Sequence, residues 1–257
     1  MKIFKLTLIC LLIFTANFLF AQNAHFTTSG TIEYNKTVNM YAMIQKELTK
    51  DNEMWIQPAY DAFKKNYPQF KIFKSTLTFA DNKMLFTPEK ADNTSGGFFN
   101  APMAGQRNTV YSDIVADKTI IQKQVFEQAF LVKDSLRKIK WKVTDETRDI
   151  LGYTCRRANG LLMDSIYVVA FYTDKIHVSG GPETFNGLPG MILEVALPHE
   201  NVIWVATKVT DSSIPESVIT PPKKGKPVNN SDLKATLKEV MSDWGDEGPM
   251  YLKGFLF

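Results

Sequence analysis

The 257-residue sequence predicts a mainly β, α+β fold: a large curved, mostly antiparallel sheet or half-barrel, covered by a helical insert and a C-terminal helix. Three observations predict it. Many short segments alternate apolar and polar residues, turn-forming Gly, Asn and Asp separate them at regular short intervals, and only two stretches repeat apolar residues at helical spacing.

In order along the chain, Ile32, Tyr34 and Val38 alternate with polar partners and mark a strand over 30–38. Over 41–67 the period lengthens, and Met43, Ile44 and Leu48, then Trp55, Ile56, Ala59, Tyr60 and Phe63, predict two helices that part near Asp51 and Asn52 and stop at Pro68. Phe73, Leu77 and Phe79, a turn over 80–83 and a second arm over 84–86 predict a hairpin. The stretch 88–106, with Gly96, Gly97, Pro102 and Gly105 around Phe98 and Phe99, reads as a long loop with an apolar tip.

Four short strands follow over 109–115, 119–126, 129–133 and 136–143. Segments 151–158 and 165–173 flank Asn159 and Gly160, a pair suited to a hairpin turn because both residues tolerate positive φ. The clearest hairpin joins 191–197 to 202–209 through the turn 198–201, and its arms, free of proline, belong at the centre of a sheet. Residues 214–230 hold four prolines and Lys223, Lys224 and Lys226, a linker crossing the surface within a single exported domain, 22–257. Ser231 caps a helix over 232–242, and 251–257 reads as a packed terminal strand.

Composition narrows the function classes. Thirty basic against 27 acidic residues give a formal charge of +3, too even a balance for a nucleic-acid partner. Lys2 and Lys5, an apolar run over 6–20 and Ala21 form a secretory signal, 1–21, ending too early for a membrane span and placing the protein in the periplasm or cell envelope. Its removal takes away two lysines and no acid, leaving +1, and also removes Cys10, so that Cys155 stays unpaired. The exported chain then holds no transmembrane segment.

Candidate functional residues are few. The block 180–191 is half Gly and Pro, and Pro189 with Gly190 fits the centre of a type II turn. A strand rather than a helix follows it, which argues against phosphate cradling and for a rigid turn or a ligand-contact loop. Phe185, Gly187, Leu188, Pro189 and Gly190, with Phe98 and Phe99, are the candidate binding residues. Cys155 is a possible thiol site, although its alternation reads as a small buried residue. The three histidines are scattered, the carboxylates show no acid/base pairing, and neither a metal, a cofactor nor a catalytic set is expected; the reading leans towards a protein that is not an enzyme.

Phe185, Asn186, Gly187, Leu188, Pro189, Gly190, Met191, Ile192 and Leu193 in succession resemble the signature of the GLPGLI family, secreted Bacteroidetes proteins of unestablished function. Lys140 to Val143, Ile150 to Ala158 and Ala170 to Thr173 are similar to further blocks of that family, in the same order. The resemblance implies an exported β-rich protein. By analogy of fold with curved-sheet periplasmic lipoprotein carriers, the expected function is non-enzymatic binding of an apolar or amphiphilic, lipid-like envelope molecule between helix and sheet. The alternative is a protein-protein interaction module accessory to an outer-membrane transporter or surface machine.

Overall fold

A computed structural model describes residues 27–90, 102–245 and 247–257. The expected signal segment and both Phe98 and Phe99 lie outside the described residues. Strand β1 (Ser29–Asn39) leads into helices α1 (Met40–Glu47) and α2 (Glu53–Asn66), then β2 (Phe70–Ala80) and β3 (Lys83–Pro88). A four-residue helix, α3 (Pro102–Gly105), precedes β4 (Thr109–Asp113), β5 (Lys118–Val125), β6 (Gln128–Asp134), β7 (Lys140–Ile150), β8 (Tyr153–Leu162) and β9 (Ile166–Thr173). Then come β10 (Met191–Leu197), β11 (Val202–Asp211), β12 (Lys226–Val228), α4 (Asn230–Val240) and α5 (Glu247–Leu256).

All twelve strands join one open sheet in the order β12-β6-β5-β4-β3-β2-β1-β11-β10-β9-β8-β7. Every pairing is antiparallel except β12 with β6, so the sheet is mixed, and the fold is the mainly β, α+β class expected. The 191–197 and 202–209 arms do sit at the centre, flanked by β9 and β1. Residues directly opposite one another share a face, and register sets one row across the sheet: Phe73, Lys36, Trp204, Val195, Ala170, Ala158 and Val143. On β1 the inward side chains Ile32, Tyr34, Lys36 and Val38 are all buried, and Tyr34 anchors the layer by donating from its hydroxyl to Ile192 O at 2.6 Å.

Helices α4 and α5 close over this inner face. Leu233, Leu237 and Met241 join the core beside Phe255, Leu256 and Phe257, and the Phe257 ring lies 5.6 Å from that of Trp204. Helix α5 passes so close to α3 that a Cβ on Gly254 would lie 2.8 Å from Met103 N.

Several local expectations change, each for a packing reason. Asn159 and Gly160 lie within β8, and the chain turns instead at Met163 and Asp164, both at positive φ. Glycine is needed at 160 because a Cβ there would sit 2.8 Å from the Trp141 ring. The 251–257 segment is helical as far as Leu256, the end of α5, so that its apolar side packs on α3, α4 and the core. Asn229, not Ser231, caps α4 by accepting from Asp232 N at 2.8 Å. The proline-rich 214–230 stretch contributes β12 and buries Ile219 against Ala80, Tyr111, Ile120 and Leu131. Of the helical insert, α1 buries Met40, Met43 and Ile44, whereas α2 buries only Tyr60 and leaves Met54 and Trp55 in solvent.

Candidate functional site

The alternation that builds β1 puts Lys36 among apolar neighbours on the inner face, and the same logic on β5 turns Lys123 inward with Thr119, Ile121 and Val125. Both lysines are less than 5% exposed. Lys36 Nζ donates to Met103 O at 3.0 Å and lies 5.1 Å from the Trp204 ring, its cross-strand neighbour. Lys123 Nζ donates to Phe255 O at 2.5 Å, and Arg137 Nη2 to Leu256 O at 2.8 Å, so two cations hold the end of α5 by its carbonyls. Glu183, in the connection between β9 and β10, is buried in the same interior and accepts from Asn108 Nδ2 at 3.4 Å.

Burial dominates the electrostatics. Loss of water lowers Lys36 to about 8 and Lys123 to about 7, with Glu183 opposing the shift in each case. Arg137 falls to about 10 for the same reason, again opposed by Glu183. Burial raises the Glu183 carboxyl, and Lys36, Lys123 and Arg137 pull it back. Three cations thus share the field of one buried carboxylate, and among the described residues none of them touches a side-chain carboxylate directly.

Beside this cluster is a cavity of about 470 Å³, lined among others by Lys36, Phe73, Ser75, Gln106, Glu183 and Trp204, with Lys71 and Arg107 contributing further charge. Three of these residues carry buried polar atoms with no protein partner: Ser75 Oγ, Gln106 Oε1 and Trp204 Nε1. Asn108 Oδ1 and Thr184 Oγ1 are unpartnered as well. Buried donors and acceptors left without a mate cost about 1–3 kcal/mol each, so this polar interior is kept at the expense of stability. Aromatic walls with fixed donors, acceptors and charges suit a polar ring better than a hydrocarbon chain.

The residues expected from the sequence lie elsewhere. Phe185 and Leu188 are core residues, 1% and 2% exposed, with the Phe185 ring 5.9 Å from Trp204. Gly190, at φ 148°, has room for no side chain, since a Cβ would meet Thr173 O at 2.1 Å. The block offers Gly187 and Pro189 to solvent. Asn186 ties it to β7, accepting at its carbonyl from Trp141 Nε1 at 2.9 Å. The Cys155 side chain is fully buried; burial, then Asp149 and Glu194, push its thiol up to about 12, and Sγ donates to Tyr153 O at 3.4 Å. Among the described residues no cluster of His, Cys, Asp and Glu is arranged to hold a metal ion. The sequence signal for Lys36 and Lys123 is a lysine interrupting an apolar alternation, between Tyr34 and Val38 and between Ile121 and Val125. Glu183 stood inside the Gly/Pro block without a spacing to single it out.

Residues 103–232, half of the chain and the greater part of the sheet, match the family described as the N-glycanase peptide, N-terminal domain. The chain belongs to this family. The match spans the block 185–193 and corrects the resemblance to the GLPGLI family drawn from it. With the family match fall both expected functions, a binder of lipid-like envelope molecules and an accessory of an outer-membrane transporter. Among solved structures, the chain is similar to PNGF-II in a P21 crystal form, with a TM-score of 0.50 and 16% identity over 81% of this chain and 33% of that one. A C2 form of PNGF-II gives 0.49 and 16% over 80% and 32%. An uncharacterized conserved protein from Thermus thermophilus gives 0.38 and 6% over 78% and 91%. The chain therefore spans about a third of the length of PNGF-II. No curated protein matches. Among the described residues no helix is long and apolar enough to cross a membrane.

Proposed function

We propose that the protein is an exported glycan-recognition protein that binds saccharides of the N-linked class in the cavity beside Lys36 and Trp204. Membership of an N-glycanase family supports the class of ligand. The observation that carries the reading is the set of buried, unpartnered polar atoms on residues lining that cavity: a hydroxyl-rich ring offers both donors and acceptors to Ser75, Gln106 and Trp204 Nε1. Lys36, Glu183 and Arg107 add charge-assisted hydrogen bonds to ring hydroxyls. Export belongs to the same proposal, supported by the charged start, apolar run and small residue of 1–21.

Titration calorimetry with a neutral N-linked core oligosaccharide tests it. The expected result is saturable binding that weakens about fivefold in Arg107→Ala, a loss of about 1 kcal/mol. An absence of heat up to millimolar saccharide, or binding unaltered by both Arg107→Ala and Ser75→Val, contradicts it.

A further inference from the structure

We infer that a second site, a groove of about 1070 Å³ between the β7–β9 end of the sheet and helices α4 and α5, binds an anionic saccharide, one carrying sulfate or carboxylate groups. The inference rests on the glycan reading and adds to it the charge of the ligand. Six basic residues line the groove, Arg137, Lys138, Lys140, Lys142, Lys234 and Lys253, against the single carboxylate of Asp164. They come from three separate parts of the chain, so topology concentrates them, although the whole sequence carries a formal charge of only +3.

Not all six are free. Lys138 pairs with Asp117 at 3.1 Å, Lys253 pairs with Glu200, and Arg137 Nη2 serves the end of α5. Lys140, Lys142 and Lys234 are exposed and make no hydrogen bond or ion pair among the described residues. Lys140 and Lys142, two apart on an edge strand, point to one side opposite Leu161 and Asn159. Arg137, which lines the groove, has a buried Nη1 with no hydrogen-bond partner. Ammonium groups without a protein partner, gathered along one groove, are receivers for sulfate or carboxylate oxygens.

The remainder of the wall selects a saccharide over other polyanions. Tyr167 is fixed by its hydroxyl, which donates to Asn159 Oδ1 at 3.1 Å, and Leu161, Met163, Pro249 and Leu252 give apolar surface for the C–H faces of sugar rings. A duplex needs a long basic stripe instead.

The test titrates a size-defined sulfated hexasaccharide into the full chain and into Lys140→Glu/Lys142→Glu/Lys234→Glu, at two salt concentrations, with Lys→Gln at the same positions as the milder variant. Binding should weaken at least tenfold in the charge-reversed variant, less in the Gln variant, and with rising salt in the parent, while affinity for the neutral N-linked oligosaccharide is unchanged. Equal binding by the charge-reversed variant, or equal affinity of the parent for duplex DNA or polyglutamate, overturns the inference. Sulfated binding without neutral binding overturns the cavity reading alone.

Discussion

At β10 the inner face is wholly apolar, whereas two strands away, in the same row, it carries a buried cation. Val195 lies opposite Trp204, and Trp204 lies opposite Lys36. On the β10 side, Val195 and Leu197 are fully buried and every neighbour contributes packing. On the β1 side, Lys36, Lys123 and Glu183 remain buried at an energetic cost, and polar atoms beside them lack partners. One row of one sheet thus contains both a region optimised for stability and a region that sacrifices it. That contrast locates function better than any motif, since a stable core alone would carry leucine or methionine at Lys36.

Trp204 is the residue that joins the two regions. Trp204→Ala deletes a fully buried ring in contact with Phe185 and Phe257 and should lower stability by about 4 kcal/mol in urea denaturation. A loss below about 1 kcal/mol would mean that the two regions do not share this core.

Charge also distinguishes the two regions. The folded values of Lys36 and Lys123, about 8 and about 7, lie below the ordinary 10.5, so the folded state binds fewer protons than the unfolded chain between those limits. Stability from these groups is therefore least below pH 7 and rises above it, by roughly 2 kcal/mol from pH 7 to pH 9 for Lys123. Glu183, raised by burial, acts in the opposite sense from the carboxylate range upward. Lys123→Met should flatten most of the alkaline rise in melting temperature, and an unchanged profile would refute the buried charge.

Two smaller effects bound the apolar side. Cys155→Ser should cost about 1 kcal/mol, and the native thiol should react with a disulfide reagent only as fast as the protein opens. Fast labelling of folded protein would show an accessible thiol. Trp55→Ser, on the exposed side of α2, should change stability by less than about 0.5 kcal/mol.

Periodicity made most strands legible, since Ile32 and Tyr34 or Leu193 and Val195 repeat at the intervals that burial requires. It failed where one residue type serves two physical ends. Gly160 reads as a turn residue, yet its lack of a side chain accommodates Trp141. Tyr251 to Phe257 is apolar enough for a strand, and only contact with α3 and α4 selects the helix. The candidate site was least legible because it is assembled from afar: Lys36 on β1, Gln106 after α3, Glu183 before β10 and Trp204 on β11 share no spacing. In the 185–190 block, Phe185 and Leu188 are conspicuous for packing inside the core, whereas Gly187 and Pro189 stand in solvent.

The claim that the polar interior beside Lys36 receives a sugar is tested most directly by a crystal structure of the protein with a neutral N-linked core oligosaccharide. The expected result is a sugar ring in the 470 Å³ cavity, a hydroxyl accepting from Trp204 Nε1 and others bonded to Gln106 and Lys36. A saccharide bound only outside this cavity, with Trp204 Nε1 and Gln106 Oε1 still unpartnered, would contradict it.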